Sequence, residues 1–454
     1  MQKRGAWKNR YTFMLATAGS AIGLGNIWKL PYMIGVNGGS AFVLVFIACI
    51  FFVGIPLMMT EVMLGRRAQK NPLDGMASLA TEANVAHYWK YLGGMGMLTG
   101  LLILGFYSVI GGWVLAYILE AGTGTFSNIE ATQSAANFDA LLASPAKLLF
   151  WHSLFMLMTM GVVARGVNSG LEKANNILIP SLFAILLVLL GYSLSVGDMQ
   201  AAYRFMFSPD FSKITPVAVL SALGHAFFSL SLGMGAVMVY GSYLTRDVSI
   251  ARTSIYIALA DTMLGLLVGL AIYSLVFANH LAPNAGPGLI FQTLPIAFGH
   301  MPGGNFIGTL FFILVAFAAW TSSISLVEPA IAWVSETLSF KNRKIKRGMS
   351  CLVLGLVVWL LGVAVLLSFN EWKDIKIIFN LNIFETLDKI TSTILLPLGG
   401  LLMAIFAGYF MKNHHVQQEL NLSNSAFKLW RITNNCIAPI AILAVFLYLF
   451  GFIK

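Results

Sequence analysis

Four ionisable side chains stand inside long apolar runs: Lys29 in GNIWKLPYM, Glu61 in GIPLMMTEVMLGRR, Asp261 in IALADTMLGLL and Glu328 in SISLVEPAIAWV. A charge at the centre of a bilayer costs at least about 2.5–3.5 kcal/mol, so each of these groups must be paired or functional. Asp261 lies in the first half of its run, away from any basic loop, which suits a cation ligand or an internal counter-charge. Glu61 is expected to cap unwound backbone in the first apolar run. Glu328 is either protonated and inert or titrates during a working cycle. Three further groups of small and hydroxyl residues accompany them. Gly19, Gly23 and Gly25 crowd TFMLATAGSAIGLGNIWKLPYM; Ser229, Ser231, Gly233 and Gly235 mark HAFFSLSLGMGAVMVYGSY; Thr321, Ser322 and Ser323 fall together in FAAWTSSISLVEP. Clustered glycine favours local unwinding. Unwound backbone at membrane depth is tolerated only where it lines a cavity or binds something. Close helix packing is the alternative reading for such glycines, and it explains one segment better than two matched ones. A single hydroxyl would bond back to its own helix; beside two unwound segments, hydroxyls and carbonyls make an oxygen donor set of the kind hard cations prefer.

The elements that must position these groups follow from composition. Of 454 residues 58% are hydrophobic and 10% charged, against roughly 25% charged in a soluble domain, and mean hydropathy is +0.80. That excludes a soluble globular protein and a disordered chain, and leaves a polytopic α-helical membrane protein. The apolar runs are long and continuous, whereas outer-membrane barrels alternate in short strands. A span needs about 20 apolar residues. Eleven are predicted, at 11–35, 40–65, 91–121, 147–164, 174–196, 216–243, 253–279, 305–338, 349–368, 382–411 and 435–452. The whole chain, 1–454, reads as one transporter-like domain. The interrupted segments are first and sixth, which a five-plus-five inverted repeat would pair: spans one to five (11–196), spans six to ten (216–411) and an extra span (435–452). Segment 122–146 reads as an external loop, and 280–304, rich in Gly and Pro, as a short helical hairpin lying in or dipping from the outer face. Gly170 and Pro180 mark a weakness in the fifth span, a kink or a gate.

With the N-terminus inside, 20 of the 28 Lys and Arg residues fall on the cytoplasmic side, 7 outside, and Lys29 within a span. This bias sets a cytoplasmic N-terminus, and the odd span count then puts the C-terminus outside. The net charge of +10 is thereby topological and does not point to nucleic acid. MQKRGAWKNR reads as a cytoplasmic tail rather than a cleaved signal. Cys49, Cys351 and Cys436 fall in or beside apolar runs, and no structural disulfide is expected. The His414–His415 pair reads as solvent-facing. No Walker motif, metal-binding His/Cys cluster or nucleophile elbow occurs, so an enzyme is not expected, and discrete sites rather than a repeated filter argue against a channel.

The stretch AGSAIGLGNIWKLPYMIGVNGGSAF (Ala18–Phe42), then GIPLMMTEVMLGRR, FYSVIGGW (Phe106–Trp113), FFSLSLGMG (Phe227–Gly235), TSSIS (Thr321–Ser325) and ILLPLGGLL (Ile394–Leu402) resembles the neurotransmitter:sodium symporter family. The order and spacing agree from about residue 4 to 411, and the resemblance is to the prokaryotic eleven-span branch with the LeuT fold. It implies a sodium-coupled symporter that imports a neutral, hydrophobic or aromatic amino acid by alternating access. The alternatives are transport of another small amine or zwitterion, and a non-transporting amino acid sensor on the same fold.

The resemblance also implies the site. A substrate carboxylate would meet the N–H groups of Leu24 and Gly25 and the hydroxyl of Tyr107; the ammonium would meet carbonyls near Ala21, Phe228 and Ser229. Gly23, Ile103, Phe228, Ser231, Met234, Ser322 and Leu326 would line the side-chain pocket. Two sodium ions are implied. The first would use carbonyls of Ala21 and Ser229, side chains of Asn26, Ser229 and Asp261, and the substrate carboxylate. The second would use carbonyls of Gly19, Ile22 and Ala318 with the hydroxyls of Thr321 and Ser322. Lys29 with Asp388 would form the outer gate, and Arg4 with Glu336 and Trp7 the inner one. Asp261 stands where animal members carry Asn, and Phe46 and His225 stand where those members carry a Tyr and a Gln that help hold chloride, so chloride independence is expected. His225 near the outer gate would add pH sensitivity. No organic cofactor and no nucleic acid partner is implied; a monomer would suffice, in the inner membrane of a bacterium.

Overall fold

The computed structural model describes residues 10–449 and Phe452, apart from 209, 285, 338, 341, 342, 345 and 379. Among these, nine helices are long and apolar enough to cross a bilayer: Ser40–Ala68, His87–Gly122, Pro145–Val163, Val167–Val196, Ile250–Ala278, Gly304–Thr337, Arg347–Leu367, Ile383–Phe410 and Asn424–Leu449. They occupy the places of the second to fifth and seventh to eleventh expected spans. The first and sixth are divided. Arg10–Ala21 is followed by a π turn, Gly25–Lys29, that runs into Leu30–Val36. Pro216–Ser229 is followed, after an unwound stretch, by Ala236–Gly241. The fifth span opens on a π turn, Val167–Glu172, and keeps Pro180 inside its helix. The eleventh starts at Asn424, earlier than its apolar run, because the Ser423 hydroxyl caps it through the Ala426 N–H.

Burial separates inner from outer helices. In the third and eighth spans 78% of the apolar window is buried, against 33–39% in the fourth, fifth, ninth and eleventh. The latter therefore carry the lipid face. Inside the bundle, dispersion contacts and close backbone approach replace the hydrophobic effect. At Gly100 of the third span, a Cβ would come within 2.6 Å of the Leu326 carbonyl of the eighth, so only glycine lets these two central helices meet.

The two segments expected to lie outside carry more structure than expected. The loop at 122–146 contains the helix Ala131–Leu142. The expected hairpin at 280–304 is instead one 3-10 turn, Gly286–Leu289, and one helix, Thr293–His300. Aromatic packing holds both down: Phe138 stacks on Phe291 at 5.4 Å, and the Tyr117 hydroxyl donates to the Phe291 carbonyl at 2.9 Å. A two-residue antiparallel pair, Ser339–Phe340 with Arg343–Lys344, follows the eighth span.

On the basic side of the bundle, several charges do more than set topology. Arg66 is buried and ion-paired to Glu419 at 3.0 Å, and it donates to the Val248 carbonyl at 2.6 Å. Arg67 pairs with Glu82, and His415 Nδ1 lies 2.6 Å from the same carboxylate. The expectation that both histidines face solvent therefore holds for His414, which is exposed, but not for His415. Glu328 is fully buried, and its partner is Arg347 at the start of the ninth span, which binds both its carboxylate oxygens; the Tyr243 hydroxyl adds a bond at 3.0 Å. Removing one member of a buried pair leaves the other charge uncompensated, at about 3–5 kcal/mol. Arg347→Met is accordingly expected to lower the unfolding midpoint in detergent strongly, and Glu328→Leu in the same chain to restore much of it. An unchanged midpoint in the single variant would refute the pairing.

Candidate functional site

The break in the sixth span is built by left-handed residues. Ser231, Gly233 and Gly235 have φ of 55°, 79° and 76°, a region that suits glycine and strains serine. The freed N–H groups need acceptors inside the bundle. Glu61 supplies them: one carboxylate oxygen accepts from Gly233 N at 3.0 Å and the other from Met238 N at 3.3 Å. The expectation that Glu61 caps the first span is thus corrected. Its carboxylate sits at the N-terminus of the sixth span's second half, where a negative charge is favoured. The Ser231 hydroxyl donates to the Ser20 carbonyl at 2.8 Å, joining the two breaks.

In the first span the chain leaves the helix after Ala21. The Leu24 N–H donates to the Tyr107 hydroxyl at 3.0 Å. Between the breaks lies a cavity of about 20 Å³, lined by Ser20, Ala21, Gly23, Gly25, Ile103, Tyr107, Phe228, Ser231, Met234, Ser322 and Leu326. Ten of the twelve residues expected at a substrate site are among them. Leu24 and Ser229 are not: the Leu24 amide is taken by Tyr107, and the Ser229 hydroxyl turns to Asp261. Ser20 is the lining residue that sequence reasoning passes over, although it sits in the same GSAIG run as Gly19.

Beside the cavity, Asn26, Ser229 and Asp261 are buried and mutually bonded. Asn26 Nδ2 donates to Asp261 Oδ1 at 2.8 Å and to the Asp261 carbonyl at 2.9 Å. The Ser229 hydroxyl donates to Asp261 Oδ2 at 2.5 Å and lies 3.3 Å from Asn26 Oδ1. A second oxygen cluster joins the first and eighth spans. The Ser322 hydroxyl lies 3.3, 3.1 and 3.4 Å from the carbonyls of Gly19, Ser20 and Ile22, and the Thr321 hydroxyl 3.1 Å from that of Ala318. One hydroxyl has a single proton to share among three carbonyls, so lone pairs converge there without enough donors. Both donor sets are all-oxygen, one with a formal charge and one neutral, which fits a hard monovalent cation. Among the described residues no group of three His, Cys, Asp or Glu side chains could hold a metal ion.

At the side expected to face outward, Lys29 Nζ meets Asp388 Oδ1 at 2.8 Å and Ser392 Oγ at 3.3 Å, and lies over the Phe228 ring at 4.9 Å. Beyond this pair opens a second cavity of about 270 Å³. His225 reaches it, buried, packed on Phe46 at 5.3 Å, and among the described residues neither ring nitrogen has a hydrogen-bond partner. On the opposite side, Glu336 accepts from the Asn71 backbone and side-chain amides, each at 3.3 Å. Its expected partners Arg4 and Trp7 lie outside the described residues.

Hydrogen bonds to a charged group contribute about 1.5–3 kcal/mol. Glu61→Gln keeps one acceptor and turns an amide donor toward the other N–H. We expect this variant to lose several degrees of thermal stability in detergent; an unfolding curve that superposes on that of the unaltered protein would show that Glu61 does not hold the break.

The model of the sodium:neurotransmitter symporter family matches residues 4–138 and 139–453. The chain is 36% identical over 461 aligned residues to YhdH of Bacillus subtilis (strain 168), described as an uncharacterized sodium-dependent transporter, with 100% of this chain and 99% of the relative covered. It is 34% identical to a sodium-dependent transporter of Haemophilus influenzae described in the same words, covering 98% of each. Among solved structures it is similar to MhsT in complex with L-phenylalanine, with a TM-score of 0.90, 40% identity, and 98% of this chain and 99% of that one covered. Broken first and sixth helices, an all-helical membrane bundle and end-to-end similarity converge: the chain belongs to the sodium:neurotransmitter symporter family.

Proposed function

We propose that this protein couples the inward sodium gradient to import of a neutral, hydrophobic or aromatic amino acid, without a chloride requirement. The observation that carries the reading is the juxtaposition at the two breaks: a largely apolar cavity walled on one side by the unwound backbone of the first span, directly beside the Asn26–Ser229–Asp261 oxygen cluster. The amides of Leu24 and Gly25, at the start of the first span's second half, with the Tyr107 hydroxyl, would hold a carboxylate. Carbonyls of Ala21, Phe228 and Ser229 would receive the ammonium. Ile103, Phe228, Met234 and Leu326 leave no charge for a charged side chain, and Met234 can adapt to ligand shape. The structural relative MhsT was solved with L-phenylalanine, which agrees with such a pocket.

Two sodium ions complete the reading. One would sit on Asn26, Ser229, Asp261 and the carbonyl of Ala21, with the substrate carboxylate as a further ligand, so that ion and substrate finish each other's site. The second would sit on Gly19, Ile22, Ala318, Thr321 and Ser322, and hold the first span to the eighth. The Asp261 carboxylate supplies a fixed negative charge beside the first ion, which makes chloride unnecessary. The cavity of about 20 Å³ is close to the room one ordered water needs. Substrate entry therefore requires Phe228 and the Lys29–Asp388 pair to part, which is the outer half of an alternating-access cycle; Arg4, Trp7 and Glu336 would serve the inner half. All these residues come from one chain, so a monomer suffices. The charge bias supports an N-terminus in the cytoplasm of a bacterial cell, with the protein in its inner membrane.

Uptake of labelled leucine, phenylalanine, tyrosine and tryptophan into proteoliposomes tests the proposal: accumulation should follow an imposed sodium gradient, and equal accumulation without sodium would overturn it. A Cβ on Gly23 would lie 2.4 Å from Ser322 Oγ and 2.8 Å from the Tyr107 hydroxyl. Gly23→Ala should therefore cut sodium-dependent uptake by at least tenfold while the protein still folds, and wild-type uptake would exclude this cavity as the substrate site. Asp261→Asn removes the fixed charge. It should raise the sodium concentration for half-maximal uptake severalfold or make uptake depend on chloride; unchanged sodium curves in gluconate and chloride would refute the role given to Asp261.

A further inference from the structure

The lipid face carries a groove that the transport cycle does not use. It runs between the fourth span, Pro145–Val163, and the ninth, Arg347–Leu367, with a volume of about 410 Å³. Its walls are apolar, built chiefly by Met156, Leu157, Met160, Cys351, Leu352 and Leu356. Its floor is low because Gly348 and Gly355 have no side chains; a Cβ on Gly355 would already meet Met160 at 3.1 Å. On the ninth span the groove extends from Gly348 to Trp359, and on the fourth from Ala164 back to Ser153. Each stretch is eleven residue steps, or about 16 Å of helix, which is half of a hydrocarbon core of about 30 Å. The deep end is closed by a polar contact, Trp359 Nε1 donating to Ser153 Oγ at 2.8 Å. The shallow end lies on the basic side of the bundle. There Arg347 Nε donates to the Val163 carbonyl at 2.8 Å and fixes the two helix ends together.

Two cations flank that contact. Arg165 and Lys346 are exposed, and among the described residues neither has a carboxylate partner. The guanidinium of Arg347 between them is already bound to Glu328. The mouth of the groove therefore presents uncompensated positive charge just where a one-leaflet-deep apolar trough opens. We propose that this groove is a binding site for an anionic phospholipid of the cytoplasmic leaflet, with one acyl chain in the trough and its phosphate at Arg165 and Lys346. The site has a route to the transport machinery. Thr159, on the fourth span beside Met160, shares a hydrogen bond of 2.7 Å with Ser323, the neighbour of Ser322, and Arg347 holds the same eighth span through Glu328. An occupied groove would brace the helix that carries the second oxygen cluster.

The test is native mass spectrometry of the full chain, delipidated in detergent and titrated with palmitoyl-oleoyl phosphatidylglycerol or with phosphatidylcholine of the same chains. One phosphatidylglycerol should bind at least tenfold more tightly than phosphatidylcholine. R165Q with K346Q should abolish the preference, and Gly355→Leu should weaken both lipids by filling the trough. Equal affinities, or a preference that survives the double charge variant, would overturn the proposal. So would a dimer lost on Leu352→Lys, because the face would then belong to a second copy of the chain. Since Arg165 and Lys346 are exposed, the charge variant decides the matter even if Gly355→Leu fails to fold.

Discussion

A backbone amide in hydrocarbon has no water to turn to, and an unpaired one costs several kcal/mol. Two of this protein's membrane helices are broken at mid-depth, so the rest of the bundle is arranged around offsetting that cost. Glu61 takes two amides of the sixth break, Tyr107 takes one of the first, and Ser231 and Ser322 reach the carbonyls of Ser20 and its neighbours. These partners come from the second, third, sixth and eighth spans, and the third and eighth are the most buried of the nine long spans. The breaks therefore dictate which helices stand in the centre. The convergent carbonyls at the Ser322 hydroxyl, which has one proton for three of them, are the part that the proposed mechanism assigns to a cation.

Charges are scarce here, and three ion pairs tie helices together, whereas Glu61 and Asp261 are held by neutral donors. Lys29 lies on Asp388, Glu328 on Arg347, and Arg66 on Glu419. The pairs differ in what they join. Arg66–Glu419 links the end of the second span to the helix before the eleventh, and Glu328–Arg347 links the eighth to the ninth. Both are buried deeply enough that separating them would strand a charge. Lys29–Asp388 is the more exposed pair and a monodentate one. A lysine forms a less rigid contact than an arginine fork, which suits the proposed role of this pair as a contact that opens while the other two stay shut.

The breaks are legible in the sequence because three glycines within seven residues of an apolar run, Gly19, Gly23 and Gly25, weaken a helix beyond what close packing alone requires. Ten residues of the cavity are legible only through the resemblance to the symporter family, which assigns each of them to the substrate site. The partner of Glu61 is not legible: a carboxylate on the second span can reach either break, and only the packing of Ser40–Ala68 against the short helix Ala236–Gly241 decides for the sixth. Glu328 and Arg347 are 19 residues apart across a tight connection. A count of basic residues assigns Arg347 to topology, and nothing in the local pattern shows that its guanidinium folds back into the bundle. The helices in the external segments escape for a different reason. Ala131–Leu142 is short and polar on one side, and its Phe138 packs on Phe291 of a distant segment as well as on Trp113 and Tyr117, contacts that no local pattern shows.

The two oxygen clusters differ in a way that matters for coupling. The Asp261 cluster carries formal charge and is internally satisfied, with Asn26 and Ser229 donating to both carboxylate oxygens. An ion entering there must displace or reorient those donors, and it gains by adding a further anionic ligand such as a substrate carboxylate. The Ser322 cluster has too few donors for its carbonyls, so a cation improves it without help from substrate. On the proposed symport mechanism, an ion at the neutral cluster would tighten the contact between the first and eighth spans before substrate arrives, and the charged cluster would make completion conditional on substrate. That order, which follows from hydrogen-bond accounting, would limit a sodium leak in the proposed mechanism, because the ion that depends on substrate would be held in a site that is poor until substrate is present.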